Sequence, residues 1–586
     1  MADSNQKITG SLLRRVISLS DNYKGLFYWT LLLAILQAPL GILRPHLINV
    51  MVDNHVMTSQ FAGLTMLVVW YMLVLFGTVF LRYIFILSTN QLGQSIVRDL
   101  RTKIFRHITH MDLAFFDKTP VGISTTRTIN DIESINEVFS EGVITILADI
   151  LGLIAVLIIM FVVSWKLTLV CITTLPFLIY ASYLFKENVR VSFQQVRGHI
   201  AKMNSFLQER ISGMRIIQIF NAEDQERAKF DKINKDYTKA NIDGIFYYAV
   251  FFPVVELISA TSLALMVWYG SGGVIKNEVT LGALVAFPIY LSMLFRPIRF
   301  LADKFNTLQM GLIAAERVFS ILDHKNNIKN EGKLMTLELN GDIEFDAVRF
   351  SYLENQEVLK GISFKVPAYS TLAIVGSTGS GKTTIISLID RLYDIQQGQI
   401  KIDGHDIKEY DLTTLRSRIG VVLQDVFLFG GTVTENITFR NDKISKDSVI
   451  HAAKQIGAHD FIENLPGGYD FVISERGSNL SMGQRQLISF VRALVYDPDI
   501  LILDEATSSI DPETESVIQY AIEKLIEKRT SIIIAHRLST IRHADQVMAM
   551  DHGEIKEIGS HEELLNKPHG LYRKLYDYQF AKAVTV

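Results

Sequence analysis

Six apolar runs recur through the first half of this sequence, near 25–51, 61–88, 139–163, 166–186, 245–271 and 279–302. Each is about as long as the roughly 20 residues a helix needs to cross a bilayer. In hydrocarbon every backbone N–H and C=O must be satisfied within its own segment, so runs of this kind fold as helices or not at all. Composition agrees, with 49% hydrophobic and only 20% charged residues among 586. The charges orient the spans. Arg98, Arg101, Lys103, Arg106, Lys118 and Arg127 fall between the second and third runs, and Lys186, Arg190, Arg197, Lys202, Arg210 and Arg215 between the fourth and fifth. The opposite loops are nearly bare: 53–60 has no Lys or Arg, 164–166 has Lys166, and 270–280 has Lys276. Positive charge marks the cytosolic side, so both long segments and both ends of the six-span unit are expected there.

Those long segments, near 89–138 and 187–244, are too polar for membrane. Ile96, Leu100, Ile104, Phe105 and Ile108 keep helical spacing, and Phe206, Ile211, Ile216 and Phe220 follow it more loosely. The spanning helices are therefore expected to run on into the cytosol, turn near 115–121 and 220–227, and return. The first 24 residues read as an amphipathic elbow helix on the membrane surface, with Arg14 and Arg15 on its polar side. Asp149 and Glu256 lie inside predicted spans. Such acids either meet a cationic substrate or proton, or line a wet cavity and pair with a neighbouring helix, and the second reading is favoured. Tyr290 and Arg296 are further candidates for a cavity lining. Cys171 reads as a small core residue. A net charge of −3 gives no reason to expect nucleic acid as a partner.

A polar stretch, 326–341, reads as a linker between a transmembrane domain over 25–325 and an α/β domain over 342–586, where short β-rich runs alternate with helical ones. Within it, Gly376-Ser377-Thr378-Gly379-Ser380-Gly381-Lys382-Thr383 follows the apolar run Leu372 to Val375 and precedes Thr384, Ile385, Ile386, Leu388 and Ile389. Strand, glycine-rich turn and helix in that order are the context of a P-loop. The turn's N–H groups and the helix dipole receive phosphate oxygens, Lys382 reaches the β/γ-phosphates, and the Thr383 hydroxyl holds Mg²⁺. Ile500 to Leu503 is an apolar strand ending in Asp504 and Glu505, placed to hold Mg²⁺ through water and to polarise the attacking water. The run Ser531 to Ala535 ends at His536, a candidate γ-phosphate contact, and Ile419 to Leu423 ends at the amide Gln424. Tyr352, upstream of the P-loop, is either an adenine-stacking ring or an ordinary strand tyrosine.

Leu480-Ser481-Met482-Gly483-Gln484-Arg485-Gln486, just before a helix and upstream of the Ile500 strand, resembles the ABC transporter signature, usually LSGGQ. Nearly the whole chain is similar to a bacterial ABC exporter of the multidrug and lipid-exporter type. The membrane half shares the pattern at Phe115-Phe116-Asp117, Gly122, Arg127 and Asn130-Asp131, and at Ala315-Glu316-Arg317. The resemblance implies an all-α six-helix transmembrane domain followed by an α/β P-loop ATPase domain in the cytoplasmic membrane, with ATP and Mg²⁺ as cofactors. It implies Tyr352 as the aromatic that stacks on adenine, Gly376 to Thr384 as the phosphate grip, and Gln424 as a residue that meets Mg²⁺ and the attacking water. Glu505 is then the catalytic glutamate, Asp511 lies in the D-loop Ser508-Ser509-Ile510-Asp511, and His536 is the switch histidine.

The same resemblance implies a dimer in which each ATP lies between the P-loop of one subunit and Ser481, Gly483 and Gln484 of the other, so a chain with one P-loop is half of a transporter. Met482 stands where the family usually has glycine. An intact Glu505 beside an altered signature favours a heterodimer with a second half-transporter, a homodimer being the alternative. If that position needs φ > 0, methionine costs about 1 kcal/mol or more. Val472 stands where exporters often carry an acid. The implied activity is ATP-driven export or flipping of an amphipathic drug or lipid by alternating access; the alternative is an ATP-gated channel or regulatory half, against which the intact Glu505 argues.

Overall fold

The computed structural model describes residues 10–58, 61–336, 338–353, 356–504, 512–535 and 537–579. They divide into two units, one of 1–109 and 121–324, the other of 110–120 and 325–586.

The first unit is helical. Gly10–Ser18 is a short surface helix whose Val16 is fully buried, and whose Arg15 donates to both oxygens of Asp323 at 2.6 and 2.7 Å while lying 4.0 Å over the Phe319 ring. The long helices Lys24–Met51, Phe61–Thr109, Ile144–Ile172, Leu175–Ser212, Glu223–Ile275 and Leu281–Leu322 follow. Among the described residues, five helical stretches are long and apolar enough to cross a membrane, where six apolar runs are read in the sequence. The fourth run is divided. Ser164 is extended at φ −160, ψ 103, the helix then stops at Ile172, and a new one begins at Leu175 with Pro176 in its first turn. Pro has no N–H to lose at a helix start, so the chain restarts there at low cost. Outward-facing Trp70, Phe76, Phe80 and Trp268 are each at least half exposed. In lipid such side chains carry no penalty, because tails are as apolar as they are.

Two inward faces hold the unit together. One gathers Leu33, Phe85, Leu92, Ile96, Ile135, Phe139, Leu312 and Val318; the other gathers Met160, Leu167, Phe251, Met266, Phe287 and Tyr290. Cys171 is buried in the second. Asp149 pairs with Lys304 of the last long helix, which is the neighbouring-helix reading of that intramembrane acid. A charge in hydrocarbon is tolerated when a partner is held beside it. The helical extensions predicted for 89–138 and 187–244 are present: Phe61–Thr109 and Leu175–Ser212 run well past their apolar portions, and Glu223–Ile275 returns.

The second unit is α/β. A six-stranded sheet runs in the order Glu554–Gly559, Gln546–Asp551, Thr371–Gly376, Thr530–Ile534, Ile500–Asp504, Ile419–Val422, parallel except at its first edge. Its central strands are apolar over most of their length because both faces are covered, with the polar Thr371, Thr530 and Ser531 at the strand starts. Ala373 and Val375 point into one core with Leu501, Leu503, Ile533 and Val547. Leu372 and Ile374 point into the other with Ile500, Ile502, Ile532 and Met548. A four-stranded antiparallel sheet, Glu357–Val366, Ile343–Ser351, Gln397–Ile402 and His405–Asp406, packs into that second core.

Two segments join this unit in ways composition conceals. The stretch read as a linker is laced to the domain: Lys333 and Leu334 N–H both donate to Glu409 O at 2.9 Å, Asn330 exchanges hydrogen bonds with Asp411 and Leu412, and Leu339 N–H donates to Asp499. The turn at 110–120 belongs here too. Its short helix Leu113–Lys118 is capped by Asp112, which accepts from Phe115 N–H through one oxygen and from Asn327 N–H through the other.

Candidate nucleotide site

Gly376 and Asp504 end two strands of the same parallel sheet, separated by one strand, since Ile374 pairs with Ile534 and Ile534 with Asp504. That carboxyl edge is where open α/β sheets bind ligands. At Gly376 the strand breaks and the chain wraps to the helix Lys382–Ile389 through Gly379 at φ +81 and Gly381 at φ +100. At φ +100 the backbone of Gly381 is in a conformation that residues with a Cβ rarely adopt, and a Cβ there would also stand 2.8 Å from Leu359 Cδ2, so glycine suits the turn. The Lys382 ammonium curls back to donate to Gly376 O at 2.8 Å and Ser377 O at 2.9 Å. It is thus held inside the loop it would share with phosphate oxygens. Ser377 Oγ donates to Asp551 at 3.3 Å. Ser380 Oγ is buried without a hydrogen-bond partner among the described residues, an orphaned polar atom in the cradle. Thr383 is exposed at the helix start and Thr384 is buried.

Burial lowers the Lys382 pKa, opposed by the charge of Asp504, and burial raises that of Asp504, opposed by Lys382 and reinforced by Asp425. Asp504 is only 7% exposed. Each charge is costly where it sits, and each cost falls when a partner of opposite sign enters. The cradle of N–H groups with its lysine fits a triphosphate, and the buried Asp504 together with the Thr383 hydroxyl fits a divalent cation coordinated by oxygen.

Tyr352 lies one residue beyond the strand Ile343–Ser351, 40% exposed, its hydroxyl donating to Thr384 Oγ at 3.2 Å. Its ring meets Tyr393 edge-on, centroids 5.1 Å apart, and lines a cavity of about 500 Å³ with Asp112, Asp117, Phe350 and Gln396. Tyr393 and Asp117 are members of this environment that the spacing of motifs did not reveal. Gln424 is exposed two residues beyond the strand Ile419–Val422.

Ser481 caps the helix Met482–Val495. Its hydroxyl accepts from Gln484 N–H at 3.2 Å and its own N–H donates to Gln484 Oε1 at 2.9 Å, a reciprocal box that fixes the helix start. Gly483 is buried in the first turn. Met482 is the first helical residue, 37% exposed, and is not among the positive-φ positions, so the methionine carries no left-handed strain. Val472 is exposed in a two-residue strand beside Arg476, whose φ is 59. Glu505, Asp511 and the rest of the D-loop, and His536 lie outside the described residues.

The chain is similar to known proteins over both its helical and its α/β part. Residues 27–298 match the model of the ABC transporter transmembrane region and 359–508 match the ABC transporter model. An uncharacterised ABC transporter ATP-binding protein of Bacillus subtilis (strain 168) is 45% identical over 84% of this chain and 82% of its own. An ATP-dependent lipid A-core flippase of Syntrophus aciditrophicus (strain SB) is 39% identical over 83% and 81%, and a putative multidrug export ATP-binding/permease protein of Staphylococcus aureus (strain NCTC 8325 / PS 47) is 36% identical over 97% and 100%. With a helical membrane region and a nucleotide-binding α/β domain fused in one polypeptide, the chain belongs to the bacterial ABC exporters of the half-transporter type, ATPases that drive transport across a membrane.

Proposed function

We propose that two such half-transporters close around two ATP molecules and move an amphipathic lipid or drug out of the cytosolic side of the membrane. The observation that carries this reading is the convergence of the half-buried Lys382, which donates to Gly376 O and Ser377 O, and the buried Asp504 on one sheet edge beside the glycine cradle, each destabilised by burial and favoured by the other's charge. Gly376, Ser377, Thr378, Gly379, Ser380, Gly381 and Lys382 hold the phosphates, Tyr352 stacks on the base, and Thr383, Asp504 and Gln424 hold Mg²⁺. The metal, when bound, neutralises charge that develops between the β- and γ-phosphates. Glu505 orients and polarises water, and His536 holds the γ-phosphate.

Ser481, Gly483 and Gln484 cover the ATP of the partner, where a capped helix start presents N–H groups and a positive dipole end to the γ-phosphate. ATP then favours the closed dimer and hydrolysis releases it, because a ligand shifts an equilibrium only through its differential affinity for the two states. A heterodimer is favoured by Met482 beside an intact Glu505; a homodimer is the alternative. The substrate class follows the names of the relatives, a lipid A-core flippase and a multidrug export protein. The positive-inside pattern supports a cytosolic ATPase domain.

The test is ATP hydrolysis and uptake of a fluorescent amphiphile by the reconstituted full-length protein and its Glu505→Gln variant. Loss of both in the variant is expected. Equal hydrolysis by the two proteins would refute the assigned chemistry, and hydrolysis without uptake would favour the channel or regulatory reading. Expressed alone, a chain that needs a different partner is expected to give little activity.

A further inference from the structure

Within the first long helix, Lys24–Met51, Gln37 and Arg44 lie seven residues apart and so on one face. Both carry a buried donor with no hydrogen-bond partner among the described residues, Gln37 Nε2 and Arg44 Nε. The Arg44 guanidinium lies 5.8 Å from the Tyr71 ring centroid, with one Nη 3.5 Å from the Tyr71 hydroxyl, and no carboxylate stands within ion-pair distance among the described residues. Gly41 lies on the same face between them and close to Met293 of the Leu281–Leu322 helix, since a Cβ there would stand 3.5 Å from Met293 Cε, an ordinary contact. The polar face is thus bounded by Tyr71 on one side and Met293 on the other.

A guanidinium stays charged in any protein environment. Inside a membrane helix it is expensive unless paired, and two of the unit's acids are engaged elsewhere: Asp149 with Lys304, and Asp53 with Gly282 N–H at 2.7 Å. All the orphaned groups here are donors, so what completes them is a group rich in acceptor oxygens and negative in charge. Phosphate and carboxylate are the groups that accept in the forked geometry of arginine.

We propose that Gln37, Arg44 and Tyr71 form a subsite for the anionic headgroup of an amphiphile, with its apolar tail among the neighbouring membrane helices. This deepens the exporter reading and rests on it for the claim that the bound amphiphile is cargo. Arg44 supplies charge and two directed donors, Gln37 an amide donor about two helical turns away, and Tyr71 a hydroxyl that turns to the anion. Cationic amphiphiles are rejected here by the same charge.

The experiment uses the assembled full-length protein in nanodiscs, with dodecyl phosphate and the neutral dodecyl maltoside as added probes and phosphatidylglycerol or phosphatidylcholine as the lipid. In Arg44→Met the concentration of dodecyl phosphate that half-maximally changes the ATPase rate rises about tenfold or more, as expected for loss of a charge-assisted bond. Gln37→Leu raises it about threefold, Arg44→Lys recovers most of the loss, and the dodecyl maltoside curve does not move. Phosphatidylglycerol retained by the wild type and lost from Arg44→Met in native mass spectrometry identifies a lipid headgroup as the occupant. A response confined to dodecyl phosphate identifies a free amphiphile. An unmoved dodecyl phosphate curve together with unchanged lipid retention in Arg44→Met overturns the subsite. If no amphiphile of either charge alters the wild-type rate, it is the exporter reading that fails, and the lipid-retention comparison still decides the subsite. Should Arg44→Met not assemble, Gln37→Leu and Tyr71→Phe carry the same comparison.

Discussion

The hydroxyl of Tyr393 donates a hydrogen bond to Oδ2 of Asp117, tying a ring that lies against Tyr352 to a carboxylate on the short helix Leu113–Lys118. Burial and then the Asp117 bond hold the Tyr393 phenol well above its ordinary pKa, so the donor stays protonated at any working pH. The ring of Tyr393 also meets Phe350 at 5.7 Å, closing a three-ring cluster behind the proposed adenine site.

The position of Tyr352 should therefore depend on Tyr393. An aromatic pair contributes about 0.5–1.5 kcal/mol, equivalent to roughly 2- to 12-fold in affinity. Tyr393→Leu is expected to raise the KM for ATP by about that factor while kcat changes little. Tyr393→Phe keeps the ring and leaves the KM within about twofold. Steady-state ATPase kinetics decide the matter: equal KM values for Tyr393→Leu and the wild type would show that Tyr352 needs no support.

Met482 gives a second expectation. As the first residue of a capped helix with no positive φ, it gains nothing from replacement by glycine. Met482→Gly should leave stability unchanged or lower it by up to about 1 kcal/mol, the helix-propensity cost of glycine. Ser481→Ala breaks the capping box and should cost about 1 kcal/mol. Denaturant unfolding of the reconstituted protein and its variants measures both. A stabilising Met482→Gly would mean that this backbone is strained after all.

Asp390 offers a pH-dependent test in the ATPase unit. Burial pushes its pKa up from the ordinary 3.8 to about 6, against the pull of Arg416. With the folded value above the unfolded one, the group lowers stability progressively as pH rises from about 4 to about 6, and by a constant amount above that. The constant amount is at most about 3 kcal/mol. Asp390→Asn should accordingly raise the unfolding midpoint of this unit at pH 7.5 and raise it distinctly less at pH 5. Thermal scans showing the same gain at both pH values would rule out titration as the cause.

The part of the site that was legible in sequence is the part made by local spacing. Gly376 to Thr383 close a turn within eight residues, and Ser481 and Gln484 cap a helix within four, so neighbours in the chain settle both. The Ile500 strand with Asp504 was legible because a strand buried on both faces must be apolar until it reaches its edge. Tyr393 and Asp117 were not: their pairing spans 276 positions and follows no period. The 326–341 stretch conceals its contacts for a related reason. Its polarity is that of a solvated linker, but its N–H and side-chain groups find acceptors at Glu409, Asp411 and Asp499 that only the folded domain brings within reach.

By itself the sequence determined that the first half crosses a membrane and that the second grips a nucleotide, because hydrocarbon and phosphate each impose requirements that contiguous residues must meet. The tertiary structure decided what depends on distant partners: that Asp149 is paired with Lys304, that Met482 sits in an ordinary helix start, and that Gln37 and Arg44 share a face with donors left over. Periodicity can say that a charge lies in a helix, but whether that charge is compensated depends on which other helix packs against it, and packing is set by the fold as a whole.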